Sequence, residues 1–250
     1  MTFKLLTILI MTSLFISSCA HVFEPAFYHE DVAYQPKPAS FDSVKTSNYV
    51  SIGYKEYSNT ESNDDLTLGE FDLSRGHAFK STNLAYGVFG AIGSYNNTTQ
   101  HSNETLFNSK YFGGFGARAS FNFFQNNGDA DFRFLGLETI YSHEFGDYAV
   151  FRKSYFQQVI TGVDARTDLF TAGLTSEILF GQKKDITQNG FRLFLGKTFG
   201  NSYLIGSNTF NYPNQDNRLF FRFSYFVKRK NYFGTFEISN GIFLRLGYKF

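Results

Sequence analysis

The sequence predicts an all-β chain that closes into an antiparallel transmembrane β-barrel of about ten strands, with eight as the alternative if weak segments merge. Three observations predict it. From residue 48 onward, apolar residues alternate with small or polar ones in segments of about ten residues or more, the period that puts the two sets on opposite faces of a strand. The 250 residues include 33 Phe, 16 Tyr and 22 Gly beside 4 Pro and no Trp, at a negative mean hydropathy, which suits strands with one apolar and one polar face. After the first two dozen residues no run of about 18 to 20 apolar residues occurs, so a helical membrane protein is excluded.

The amino terminus is an address. Residues 1–18 carry Lys4, then an apolar run over 5–16 interrupted by Thr7, Thr12 and Ser13, then Ser17 and Ser18 ahead of Cys19. This is the pattern of a cleaved secretory signal peptide. Ile16, Ser17, Ser18 and Cys19 together resemble the bacterial lipobox, which implies that Cys19 is acylated and becomes the new amino terminus. No other cysteine competes for it through a disulfide. Each buried acyl methylene contributes about 0.8 kcal/mol, so two or three palmitate-like chains make a stable anchor. Residues 19–47 contain Pro25, Pro36 and Pro38 and lack a sustained period, so they read as a lipidated tether or a plug, with Phe23 and Phe27 available to dock. The anchor is expected in the periplasmic leaflet, on the same side as Phe250.

The barrel is predicted over 48–250. Candidate strands fall near 48–57, 66–79, 83–95, 108–124, 131–144, 168–181, 188–199, 217–228, 231–238 and 241–250. The clearest sets Tyr111, Phe115, Ala117, Ala119, Phe121 and Phe123 against Phe112, Gly114, Gly116, Arg118, Ser120 and Asn122. In the segment over 217–228, Phe220 and Phe226 fall on the polar face and blur the alternation. Connections at 80–82, 125–130, 182–187 and 228–231 are short, whereas those at 58–65, 96–107, 145–167 and 200–216 are long and mostly polar. Short turns on one side and long loops on the other are the expected asymmetry of membrane barrels. An even strand number places both barrel termini on the turn side, expected to be the periplasm.

The last strand carries Ile242, Leu244, Leu246, Tyr248 and Phe250 at every second position, counted back from a terminal aromatic. This resembles the carboxy-terminal insertion signature of small bacterial outer-membrane β-barrels. With the lipobox, the wider resemblance is to the lipobox-bearing barrels of Bacteroidota-like bacteria; it is one of pattern and carries no functional residues with it. It implies the barrel-insertion and lipoprotein-sorting machineries as partners, together with outer-membrane lipid.

Turning the polar face inward puts Glu70, Asp72, Arg118, Glu138, Glu177, Arg192, Arg222, Glu237 and Arg245 in the lumen. There an unpaired charge is costly, so a salt-bridged network filling the interior is expected. Catalytic chemistry is not expected. Ser142, His143 and Glu144 are the residue types of a hydrolase, but neighbours on a strand point to opposite faces. Asp64, Asp65 and His101 fall in predicted outer loops, and no metal spacing, phosphate loop or nucleophile elbow is present, so no cofactor or metal is expected. With 23 basic and 22 acidic residues, no basic field gathers nucleic acid. The sequence therefore predicts a non-enzymatic envelope barrel with a structural role or an envelope protein partner. A narrow channel is the first alternative, and a lipid- or peptide-modifying barrel enzyme the second.

Overall fold

The alternating segments become strands, each paired with both neighbours in one ring. The computed structural model describes residues 22–59, 64–97, 109–128, 130–156, 162–181, 187–199 and 219–250. The signal peptide and Cys19 lie outside them. A two-residue strand β1 (Val22–Phe23) precedes β2 (Thr46–Asn59), β3 (Asp64–Ala78), β4 (Thr82–Asn97), β5 (Lys110–Asn127) and β6 (Ala130–Phe145). A helix α1 (Asp147–Phe156) and a short β7 (Gly162–Val163) follow, then β8 (Asp168–Gly181), β9 (Thr187–Phe199), β10 (Phe220–Arg229), β11 (Tyr232–Ile238) and β12 (Gly241–Lys249). The ten long strands close into one antiparallel barrel in the order β10-β11-β12-β2-β3-β4-β5-β6-β8-β9. Ten strands, not eight, is thus the count.

Closure is made by the strand that ends the chain. β12 pairs with β2 from Gly241↔Tyr57 to Lys249↔Tyr49, and Phe250 and Asn48 exchange backbone hydrogen bonds at the seam. A pairing this complete removes the unpaired edge that a ten-stranded open sheet would expose. Ile242, Leu244, Leu246, Tyr248 and Phe250 face outward, while Phe243 and Arg245 face inward and are buried.

The outward face is apolar around the ring. Ile52, Phe71, Ile92, Phe115, Leu137, Leu174, Leu195, Phe221, Ile238 and Leu246 each come from a different strand and are exposed. A continuous exposed belt of this kind is far larger than a soluble monomer carries, and it is the surface that lipid covers.

The alternation changes phase once. β5 and β6 shift register between Phe123 and Gln125, and β6 and β8 between Arg133 and Gly136, because Phe134 and Leu135 both lie outside as a β-bulge. Asp131 and Arg133 therefore face the lumen, as Glu138 does beyond the bulge.

The segment before the barrel is inside it. Val22 and Phe23 pair in parallel with Gly162 and Val163, in the connection between β6 and β8 at the loop end. From there the chain descends the lumen to Thr46, beside Phe250 at the turn end. Residues 22–45 thus run the length of the lumen, from the loop end to the turn end beside Phe250. Of the two readings of the segment, plug and free tether, the chain takes the plug.

Candidate functional site

The lumen is the candidate site, and its occupant is the plug. At the loop end the contacts are mostly aromatic. Phe23 meets Phe151 of α1 edge-on at 5.3 Å, and Phe27 meets Phe112 at 6.0 Å and Phe89 at 6.2 Å. Phe27 fits because β5 carries Gly114 opposite it, where a Cβ would stand 2.1 Å from the ring. Gly146, at φ 108°, turns the chain from β6 into α1. The Ala26 amide donates to Glu144 (2.7 Å), whose other carboxylate oxygen accepts from Arg152 of α1 (2.7 Å).

Below this collar the contacts are ionic. His29, in the left-handed region at φ 61°, is stacked between Tyr28 and Phe220 at 4.0 and 4.1 Å. Glu30 lies 2.9 Å from Arg222 and 3.2 Å from Lys55. The Asp31 carboxylate accepts from Ser142 (3.1 Å) and Thr171 (3.2 Å), and its carbonyl accepts from Nε of Arg118 (2.8 Å). Arg118 spends its remaining donors on Glu70, in a two-pronged pair at 2.9 and 2.8 Å, and on Asp72 at 2.8 Å, while lying over the Phe89 ring.

Tyr34 marks the middle of the plug. Its hydroxyl donates to Glu177 (2.5 Å), its amide donates to Glu237 (3.1 Å), and its carbonyl accepts from Arg245. Arg192 pairs with Glu138 and lies 3.8 Å from Glu237. Lys37 donates to Ser120 and Asn122 at 2.8 Å each, and Arg133 bridges Glu177 (2.7 Å) and the Pro38 carbonyl (3.1 Å). At the turn end the Ser40 amide donates to Asp131 (2.6 Å), and Asp42 accepts from Gln188 (2.5 Å) beside Lys228 and Lys249.

All nine lumen charges read from the sequence are buried, and the structure adds Lys55, Asp131, Arg133 and Glu144 from the wall and Glu30, Asp31 and Lys37 from the plug. Asp131 and Arg133 escape a sequence reading because the bulge reverses the alternation between them and Glu138. The signal of the plug in the sequence is the aromatic residues on the polar face. Phe220 and Phe226 are not noise in β10; they pack on His29 and Tyr34.

Ser142, His143 and Glu144 do not converge. Ser142 and Glu144 point inward to Asp31 and Arg152, whereas His143 lies on the outer face against Asp168 at 2.8 Å. Asp64 and Asp65 open β3, and His101 falls outside the described residues. A cleft at the loop end beside Glu24, Tyr28, Tyr57, Tyr95 and Tyr148 has a volume of about 60 Å³, room for a few waters.

An apolar belt outside, a charged and largely ion-paired interior and complete closure define the class: this is a plugged transmembrane β-barrel of the outer-membrane type. No protein-family model and no curated protein matches the chain. Among solved structures it is similar to the transport unit of the autotransporter AIDA-I from Escherichia coli, at 10% identity over 82% of this chain and 90% of that one, with a TM-score of 0.36. It is also similar to the beta domain of the Bordetella autotransporter BrkA, at 11% identity over 83% and 99%, with a TM-score of 0.40. The translocator domain of the autotransporter NalP from Neisseria meningitidis gives 7% identity over 84% and 90%, with a TM-score of 0.32.

Proposed function

We propose that this chain is a non-enzymatic lipoprotein of the bacterial outer membrane, a barrel sealed by its own amino-terminal segment, with a structural or partner-docking role in the cell envelope. One observation carries the reading: residues 24–45 run the length of the lumen and are held to its wall by ion pairs, from Glu30 on Arg222 and Lys55 to Asp42 on Lys228. A water-filled channel needs those wall charges free to meet solute, whereas here they hold the plug. An enzyme needs convergent groups, and Ser142 and Glu144 are spent on the plug and its collar. Acylation at Cys19 supplies the anchor, the run from Ile242 to Phe250 is read by the barrel-insertion machinery, and the polar loops are what an envelope partner contacts.

The test is electrical and chemical. Purified full-length protein in planar bilayers is expected to be silent, and to turn over neither lipid A nor peptides. Stable ohmic steps from the wild-type chain would replace this reading with the channel. Turnover lost on His143→Ala or Asp65→Ala would replace it with the enzyme.

A further inference from the structure

We infer that the mature amino terminus emerges at the loop end of the barrel, across the membrane from Phe250, so that an acyl group on Cys19 enters the leaflet on the loop side. The path of residues 22–45 carries this; the acyl clause alone rests on the lipidation proposed above.

The direction of the thread is fixed at both ends. At the loop end, Val22 and Phe23 pair with Gly162 and Val163, the Asp164 amide donates to the Phe23 carbonyl (2.9 Å), and the Tyr148 hydroxyl donates to the Glu24 carbonyl (2.8 Å). At the turn end, the Lys45 carbonyl accepts from the Ala78 amide (2.8 Å) and Asn48 pairs with Phe250. Between them the contacts run in order down the wall: Ala26 on Glu144, Glu30 on Arg222, Tyr34 on Glu177 and Ser40 on Asp131. The wall is continuous around the ring, so the segment has no lateral exit.

Distance then decides the leaflet. The 14 residues of β2, at about 3.3 Å each and tilted by about 40°, rise roughly 35 Å, more than the ~25 Å apolar band of such barrels. Cys19 stands three residues before Val22, and three residues of extended chain reach about 11 Å at most. An acyl chain fixed at Cys19 cannot reach the leaflet around Phe250 while the plug is seated. Putting it there means withdrawing the plug and leaving Arg222, Lys55 and Glu177 without their plug partners. Val22 and Phe250 therefore stand at opposite ends of the barrel, and the plug spans the membrane between them.

The test is thiol labelling of intact cells with a membrane-impermeant maleimide. Three variants of the full chain are compared, His21→Cys beside the terminus, Asn240→Cys in the β11–β12 turn at the loop end and Lys80→Cys in the β3–β4 turn; the wild-type chain reports any labelling of Cys19 itself. His21→Cys is expected to label with the Asn240→Cys pattern and opposite to Lys80→Cys, whichever side the loops face. If His21→Cys follows Lys80→Cys, the inference is overturned. The mass of the amino-terminal peptide reads acylation separately. An unmodified Cys19 sinks the anchor proposed above and the acyl clause with it, while the labelling still decides the path.

Discussion

Replacing Arg118 with methionine isolates what the lumen network contributes. The guanidinium is almost fully buried and serves Glu70 twice, Asp72 once and the Asp31 carbonyl once, all between 2.8 and 2.9 Å. Methionine fills most of the volume and keeps contact with Phe89, so the change is electrostatic. It leaves two buried carboxylates, with Lys55 the nearer remaining cation to Glu70 and Arg245 4.0 Å from Asp72. Breaking a buried pair by removing one partner costs about 3–5 kcal/mol; with two carboxylates stranded and each partly relieved, about 4 kcal/mol is expected. Reversible guanidinium unfolding in phosphatidylcholine vesicles measures it, followed by far-ultraviolet circular dichroism because the chain has no Trp. Adding Glu70→Gln and Asp72→Asn to Arg118→Met is expected to recover most of the loss, since neutral amides cost far less to bury than unpaired charges. A loss under about 1 kcal/mol, or a triple variant no better than the single one, would refute the paired lumen.

Leu246→Arg, on a fully outward position of β12, is expected to cost about 2–4 kcal/mol in the same assay if it lies near the bilayer midplane; a neutral result would remove the lipid belt. Gly114→Val drives a side chain into the Phe27 ring and the His143 carbonyl, with an overpacking cost of about 1–3 kcal/mol; it is expected to make residues 22–30 cleavable by added protease in folded barrels, where the wild type is protected. Deleting Leu135 leaves Phe134 as a single outward residue between Arg133 and Gly136, so the strand alternates without a bulge and Asp131, Arg133 and Glu138 all still face the lumen. That chain is expected to insert and keep the compact, heat-modifiable band on gels, whereas loss of the band would show that the bulge is itself required by the wall.

The strands were legible because a barrel wall between lipid and a polar lumen forces a strict period of two, as Tyr111 to Phe123 shows. Boundaries follow within about three residues, and β8 over 168–181 agrees at both ends. Arg133 was not legible, since one added residue at Phe134 and Leu135 inverts every face N-terminal to it. Nor was the place of residues 22–45, whose lack of period suits a loose tether and a lumen plug equally well.

Local pattern by itself determined the all-β class, the turn and loop sides, and the inward charges from Glu70 to Arg245. Each of these depends on a strand's own two faces, while closure of the ring decided for ten strands over eight. Only the tertiary structure decided what those charges meet. Arg222 finds Glu30 and Glu177 finds Tyr34 across separations of 192 and 143 residues, pairings that closure of the ring around residues 22–45 creates and that no spacing within a strand encodes.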